Sequence, residues 1–264
     1  MLIDAHVHVG RFETINLSCD FADALRLADK MKLDRIFCTH VKSLYYDFRE
    51  GDTAVYEAMK KYPDRIWGYV SVTSPRHGQE ILDHVRTCLF DRGFHGIKIY
   101  AHPRGVGGYE PFLSVADKYM YPIFEMAEQW KTPVLAHSAS HEVDAVCRDF
   151  PNLRLMMAHM GATPISGGDW HTAIKVAERH PNLILDTTGS GMDFGMVEEA
   201  VRILGPTRII WGSDIPMIDP WLNLEKIRGA EISETDKRLI LGENIARLVR
   251  EGRERIECIK AQKA

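Results

Sequence analysis

Leu2-Ile-Asp-Ala-His-Val-His-Val9 is the first of eight short runs that are rich in Val, Ile, Leu or aromatic residues and bounded by turn residues. Runs of this length and composition are typical of buried β-strands. The sequence therefore predicts eight strands, of which the other seven lie at Arg35–Thr39, Ile66–Val72, Gly96–Tyr100, Pro133–His137, Leu153–His159, Leu183–Thr187 and Arg208–Ser213.

The segments between these runs carry the period of amphipathic helices. After the first run, for example, Phe21, Ala24, Leu25, Ala28 and Met31 form one apolar stripe. Eight right-handed strand–helix units close into a (β/α)8 barrel, so we predict a single α/β domain, a TIM barrel, over residues 1–264. A doubly wound open sheet is the alternative, but no Gly-rich dinucleotide fingerprint follows the first strand.

Composition excludes several classes of protein. The 264 residues are 45% hydrophobic, which indicates a globular chain rather than a disordered one. The net charge of -4 gives no electrostatic surface for nucleic acid or an anionic membrane. No apolar run approaches the ~18 residues that span a bilayer, and the amino terminus lacks the features of a signal peptide.

The cysteines point to a reducing compartment. There are five, which is an odd number, and none forms a CxxC pair. A disulfide scaffold and a zinc ribbon are therefore excluded, and we expect a cytoplasmic protein.

Histidines and one aspartate mark the ends of four predicted strands. His6 and His8 face the same way on the first strand, about 6.6 Å apart along the backbone. His137 ends the fifth run, His159 ends the sixth, and Asp214 follows the eighth. A lone strand histidine is usually a packed or surface residue, but five potential ligands at the carboxyl-terminal mouth of one barrel predict a shared metal site.

The motifs around these residues resemble the amidohydrolase superfamily. Within it, they are similar to the amidohydrolase-related branch, which contains metal-dependent hydrolases and non-oxidative decarboxylases. The resemblance runs from residue 2 to about residue 248, and the segments that carry it are Ile3–His8, Pro133–His137, Met156–Gly161, Trp211–Pro216 and Leu241–Leu248.

The resemblance implies a metal centre and a role for each residue in it. His6, His8, His137 and Asp214 would hold one ion, and His159 would bind a second ion or polarise the water or substrate. Such ligands suit Zn²⁺, with Mn²⁺, Fe²⁺ or Co²⁺ as alternatives. Zn²⁺ lowers the pKa of a bound water towards ~7, and Asp214 would move the proton, which implies hydrolysis of an amide, ester or lactone.

Lys98 distinguishes between forms of this chemistry. With Tyr100 it is predicted to point into the barrel, because Ile97 and Ile99 take the opposite face of the strand. Its position resembles that of the carboxylated lysine that bridges two metals in binuclear amidohydrolases. The alternative is a buried lysine paired with an acid such as Asp4 or Asp214. Decarboxylases of the branch usually lack this lysine, so it favours a hydrolase.

Three other functions are alternatives to hydrolysis. The first alternative is a metal-dependent decarboxylase that releases CO₂ from an aromatic or enoic carboxylic acid. Related deoxyribonucleases carry a glutamate at the position of Lys98, and this acidic chain offers no phosphate-binding surface. A barrel that only binds a ligand would be expected to lack a metal ligand, and none is missing.

Several side chains near the predicted mouth are candidates for binding a small-molecule substrate, although solvated or loop roles are the ordinary alternative. Arginine would clamp a substrate carboxylate through two hydrogen bonds. Asp186 is given no role, and the resemblance implies a homodimer or larger homo-oligomer. The substrate-binding candidates are Arg11, His40, Tyr100, His102 and Arg104.

Overall fold

The computed structural model describes residues 1–12, 16–45, 47–72, 78–100, 114–161, 169–189 and 193–263. Its sheet follows the order β2-β1-β3-β4-β5-β6-β7-β8-β9, and every pair is parallel except β1 with β2. The strands are β1 (Ile3–Phe12), β2 (Leu17–Cys19), β3 (Arg35–His40), β4 (Ile66–Val72), β5 (Gly96–Tyr100), β6 (Val134–His137), β7 (Leu155–Met157), β8 (Leu183–Asp186) and β9 (Ile209–Ile210).

Helices separate the parallel strands and cover the outside of the sheet. In the first of them the predicted stripe is confirmed, since Ala24, Ala28 and Met31 are buried. No helix in the described ranges combines the length and apolar character needed to cross a bilayer. The helices are α1 (Phe21–Met31), α2 (Val41–Tyr45), α3 (Phe48–Lys61), α4 (Gln79–Phe90), α5 (Tyr121–Trp130), α6 (Ser140–Asp149), α7 (Trp170–Arg179), α8 (Met196–Leu204), α9 (Pro220–Arg228), α10 (Glu234–Arg238) and α11 (Asn244–Lys263).

The chain after β9 closes the sheet on β1. The backbone N–H of Ala5 donates to the carbonyl of Trp211 over 3.2 Å, and that of His8 donates to the carbonyl of Ile215 over 2.7 Å. Val7 and Ile215 also form a parallel bridge. The (β/α)8 barrel predicted from the sequence is therefore confirmed, and the open sheet is excluded.

Two apolar cores stabilise the barrel. The larger core lies between the sheet and the helices, and the smaller one fills the amino-terminal part of the barrel interior. The smaller core contains Ile3, Phe37 and Leu135 from the strands. Side chains of α11, among them Ile245 and Leu248, pack against them. Each large side chain buried in this way contributes about 1.5–3 kcal/mol. The polar interior residues are thereby left at the carboxyl ends of the strands.

Strand ends differ from the prediction at the positions that carry site residues. The predicted strand 153–159 is shorter, because β7 ends at Met157 and His159 has a left-handed backbone with φ of 58°. A strand cannot continue through that conformation. The predicted strand 208–213 is reduced to β9, and the hairpin strand β2 was not predicted.

Candidate metal centre

Strand β1 brings His6 and His8 to one side, with their ring centroids 5.1 Å apart. The strand contains a bulge relative to β3, because the pairing register shifts between Asp4 and Val7. Bulges commonly redirect side chains next to functional sites. Only 1% of His6 and 4% of His8 is exposed, so these imidazoles are removed from bulk water.

Acceptor groups fix the orientation of two imidazoles. Nδ1 of His6 lies 2.8 Å from Oδ2 of Asp186, and Nδ1 of His159 lies 2.7 Å from the carbonyl oxygen of Thr188. A carboxylate and a carbonyl only accept, so we assign the ring proton to Nδ1 in both residues. Each Nε2 then keeps a lone pair, which is the form that binds a cation.

Asp214 completes a tight group with the two histidines of β1. Its Oδ1 lies 3.3 Å from Nε2 of His8 and 3.8 Å from Nε2 of His6. One ligand atom of each of these three residues lies within 4.8 Å of the other two. Nδ1 of His8 lies 2.8 Å from the hydroxyl of Thr39, which can either donate or accept. His8 can therefore present Nε2 as a donor to Asp214 or as a ligand to a cation.

The backbone around Asp214 is held by buried polar groups. Asp214 has a left-handed φ of 60°, a conformation that aspartate tolerates better than most residues. Its N–H donates to the carbonyl of His6 over 2.8 Å. Oδ1 of Asp4 accepts from the N–H of Ser213 over 2.8 Å. The loop that carries Asp214 is thus tied directly to β1.

His137 and His159 form a second pair beside this group. Their ring centroids are 4.5 Å apart, and neither belongs to the group within 4.8 Å. Nδ1 of His137 is buried and has no hydrogen-bond partner among the described residues. A buried ring nitrogen without a partner is costly, so this atom fits a site that takes a cation.

Lys98 lies inside the barrel and is fully buried (0% exposed). Its Nζ is 2.7 Å from Nε2 of His6, so the amine donates to the lone pair that a cation would use. Lys98 belongs to β5, where it pairs in register with Leu135 of β6. The sequence offers a lysine paired with Asp4 or Asp214 as the alternative to a carboxylated lysine. The direct partner of Lys98 is instead the imidazole of His6.

Burial and charge set the protonation of the centre. Burial lowers the pKa of His6, His8 and His137, so these rings are neutral at neutral pH. Burial alone would raise the pKa of Asp214, but the hydrogen bond with His8 and the field of the surrounding histidines lower it to about 2. Neutral imidazoles beside an ionised carboxylate are the ligand forms that divalent cations require.

Aromatic rings enclose a cavity of about 80 Å³ above these ligands. Successive ring centroids are 6.1 Å apart from His8 to Phe12, 5.9 Å from Phe12 to Tyr45, 5.5 Å from Tyr45 to Tyr100 and 5.0 Å from Tyr100 to His137. The hydroxyl of Tyr45 donates to that of Tyr100 over 3.0 Å. The cavity is lined by His8, Phe12, Tyr45, Tyr100, His137, His159, Asp214 and Met217.

Of the predicted substrate-binding residues, some line the cavity, some do not, and some lie outside the described residues. Tyr100 lines the cavity. Arg11 is exposed and donates to Asn16, and His40 packs 6.3 Å from Phe21, so neither lines the cavity. His102 and Arg104 lie outside the described residues.

The sequence did not predict the groups that form hydrogen bonds with Nδ1 of His6 and of His8. Asp186 has no role in the sequence-based prediction, yet its carboxylate accepts from His6 and from the N–H of Thr188. The available signal was that Asp186 ends β8, as His137 ends β6. Thr39 had no such signal, because threonine is common in strands.

Asp186→Asn is expected to weaken metal binding about 10- to 100-fold, the usual cost of losing a carboxylate behind a ligating histidine. The amide keeps the shape but removes the charge that orients the His6 ring. Dissociation constants from competition with a chelating dye measure the effect. Asp64→Asn is the control, since its side chain is 94% exposed. Equal constants for the two variants would contradict this role.

Metal affinity is expected to rise with pH up to about 8. Burial lowers the pKa of Lys98 to about 8, so its amine is protonated below that pH and occupies the lone pair of His6. Displacing one proton makes binding weaken about tenfold for each pH unit below 8 and level off above it. Titrations from pH 6.5 to 9.5 measure the slope. A Lys98→Met variant with the same slope would contradict the explanation.

Comparisons with known proteins agree with this fold. The family model described as amidohydrolase matches residues 3–250. A comparison with curated protein sequences finds no matching protein.

Solved structures also resemble the chain. The 5-carboxyvanillate decarboxylase of Sphingomonas paucimobilis is 16% identical, with a TM-score of 0.73 over 94% of this chain and 98% of that chain. A manganese-bound dihydroxybenzoic acid decarboxylase of Polaromonas is 15% identical, with a TM-score of 0.73 over 94% and 96%. The 4-oxalomesaconate hydratase of Rhodopseudomonas palustris is 15% identical, with a TM-score of 0.69 over 100% of both chains.

The structural similarity to these proteins establishes a common fold, but sequence identities this low leave the reaction open. The match to the family model covers nearly the whole barrel, including the strands that carry His6 and His137 and the loop that carries Asp214. The chain belongs to the amidohydrolase family.

Proposed function

We propose that this enzyme is a metal-dependent hydrolase that cleaves an amide, ester or lactone bond of a small molecule. The observation that carries the proposal is the position of Lys98, buried inside the barrel and in contact with His6. The resemblance associates a lysine at this strand with binuclear hydrolases. A buried amine of lowered pKa is also the form that can react with CO₂ to give a carbamate.

The donor set supports two cation positions. His6, His8 and Asp214 would hold one cation, and His137 and His159 would hold the other. A carbamate on Lys98, whose Nζ lies 2.7 Å from Nε2 of His6, would add oxygen ligands to this donor set. Such nitrogen and oxygen donors suit Zn²⁺, and Mn²⁺ is the alternative favoured by the manganese in the Polaromonas decarboxylase. When bound, the cation supplies Lewis-acid polarisation and a more acidic water.

The protein side chains then manage the proton. Asp214, ionised at neutral pH and facing the cavity, accepts a proton from the attacking water and returns it to the leaving group. His159 carries its proton on Nδ1 and presents a bare Nε2. A lone pair there suits a cation better than it suits polarising a carbonyl oxygen, so we assign His159 as a ligand.

Walls and volume restrict the substrate. Phe12, Tyr45 and Tyr100 offer apolar faces, and the paired tyrosine hydroxyls offer the polar edge. A cavity of about 80 Å³ admits only a small reacting group. The substrate class supported is therefore a small, flat molecule with one carbonyl presented to Asp214.

Decarboxylation of an aromatic acid is the second candidate. The aromatic walls favour it, and so do the decarboxylases among the similar structures. That reaction must deliver a proton to carbon, and Asp214, which is ionised at neutral pH, has no proton to give until it has accepted one. Hydrolysis begins with that acceptance, from the attacking water. The first candidate therefore agrees better with the electrostatics.

Product analysis distinguishes the two reactions. The metal-loaded enzyme is incubated with panels of small esters, lactones and amides and with hydroxybenzoic acids. We expect hydrolysis products without CO₂ release, and we expect Asp214→Asn to abolish them. Release of CO₂ without any hydrolysis would overturn the proposal in favour of the lyase.

A further inference from the structure

A second cluster of metal-binding residue types lies on the outside of the barrel, between α3, α4 and β4. Asp52 projects from α3, and His84 and Cys88 lie one turn apart on α4. One ligand atom of each lies within 4.8 Å of the other two. Asp52 and Cys88 are fully buried, and 12% of the His84 side chain is exposed.

The three residues converge on one point. Oδ2 of Asp52 lies 2.9 Å from Nε2 of His84, and Sγ of Cys88 lies 3.5 Å from the same nitrogen. In a nucleophilic triad the acid and the nucleophile contact opposite ring nitrogens. Here both contact Nε2, so the cluster lacks the geometry of a triad. We propose that Asp52, His84 and Cys88 form a divalent-cation site of the class that takes Zn²⁺.

The distances match tetrahedral coordination. Zn–N bonds of about 2.0–2.1 Å and Zn–S bonds of about 2.3 Å place N and S about 3.5 Å apart. Nε2 and Sγ already have this separation. The N···O distance must lengthen by about half an ångström, and Oδ1 of Asp52 gives the carboxylate a second oxygen to offer.

Charge balance also favours a cation. Asp52 and Cys88 are fully buried beside each other, so an ionised carboxylate and a thiolate at this place are costly unless a cation accompanies them. A divalent ion neutralises both negative charges, and its binding releases the Cys88 proton to solvent. The exposed edge of His84 leaves a route for the ion and a fourth position for water.

The site would tie three elements together next to the catalytic mouth. Oδ2 of Asp52 accepts from the N–H of Ser71 over 3.2 Å, and Ser71 pairs in register with Lys98. A bound ion would therefore link α3 and α4 at the strand beside Lys98. Its role is structural, and it does not depend on the proposed reaction.

Cobalt binding tests the site without any activity assay. The full chain is dialysed against a chelator, and Co²⁺ is added while the thiolate-to-cobalt charge-transfer absorption is recorded. None of the described residues at the catalytic centre is a cysteine, so this band reports on thiol ligands alone. We expect the band to saturate once all sites of the chain are filled, with the amplitude of one cobalt–thiolate bond for each chain. Excess Zn²⁺ should remove the band and raise the Tm by about 5 °C.

Matched variants locate the ligands. Cys88→Ser should abolish the band, and His84→Gln should weaken Co²⁺ binding at least about tenfold. Cys147→Ser, a buried cysteine on α6, should leave the band unchanged. The proposal is overturned by the absence of a band in the unaltered chain, or by a band that survives in Cys88→Ser. Circular dichroism confirms that each variant is folded.

Discussion

His8→Ala is expected to lower metal affinity at the catalytic centre by more than about 100-fold and to abolish turnover. The substitution removes one of the three residues whose ligand atoms group within 4.8 Å. It also removes the hydrogen bond between His8 and Asp214, which lowers the pKa of that carboxylate and fixes its position at the cavity. Loss of a ligand should cost more than the 10- to 100-fold typical of groups behind a ligand.

Metal content after dialysis, measured by mass spectrometry, and turnover together check this expectation. His171→Ala is the matched control, because 63% of its side chain is exposed and it lies on α7. The control should retain metal and rate. A His8→Ala protein with full metal content and full rate would refute the ligand assignment.

Lys98→Ala is expected to halve the number of bound cations, from two to one for each chain. Without the amine no carbamate forms, and the pair His137 and His159 loses the oxygen ligand that would join it to the first position. Short carboxylic acids should restore part of the second equivalent, because they offer the same donor atoms from solution. Lys60→Ala, whose side chain is 57% exposed, is the control.

The stoichiometry decides between one cation and two. If Lys98→Ala and the unaltered chain both bind a single cation, the binuclear form of the proposal fails. Hydrolysis by a mononuclear centre would then remain to be tested by product analysis. The two measurements therefore separate the metal count from the reaction.

Much of the barrel was predictable, because its strands are continuous apolar runs between turn residues. β4 and β5 lie at the predicted residues. The prediction was wrong where side-chain chemistry dictates the backbone. His159, predicted to end a strand, lies in a left-handed turn. Asp214 follows the last strand as predicted, but that strand ends at Ile210, and Asp214 itself lies in a left-handed turn. Strand propensity contains no information on these turns, since they are held by contacts distant in sequence.

The site was predictable in kind and less so in detail. The spacing of His6 and His8 and the strand-end position of His137 brought them to one mouth, as expected. The group whose ligand atoms lie within 4.8 Å of one another contains His6, His8 and Asp214 but not His137, a distinction that alternation along strands cannot resolve. Asp186 was missed because its role depends on contact with His6, 180 residues away.

The orientation of the histidine rings connects fold to chemistry. β8 and the residues after it supply the acceptors for His6 and His159, and Thr39 on β3 supplies the partner for His8. Hydrogen bonds from three parts of the barrel thus orient the rings of His6, His8 and His159. The partners that orient these rings are in place before any cation binds.

Anomalous diffraction from crystals of the metal-loaded enzyme tests the common cation most directly. Data on both sides of the metal absorption edge should give a peak about 2.0–2.2 Å from Nε2 of His6, Nε2 of His8 and a carboxylate oxygen of Asp214. If an enzyme loaded with metal showed no peak in contact with any of these three atoms, the metal centre described above would be wrong.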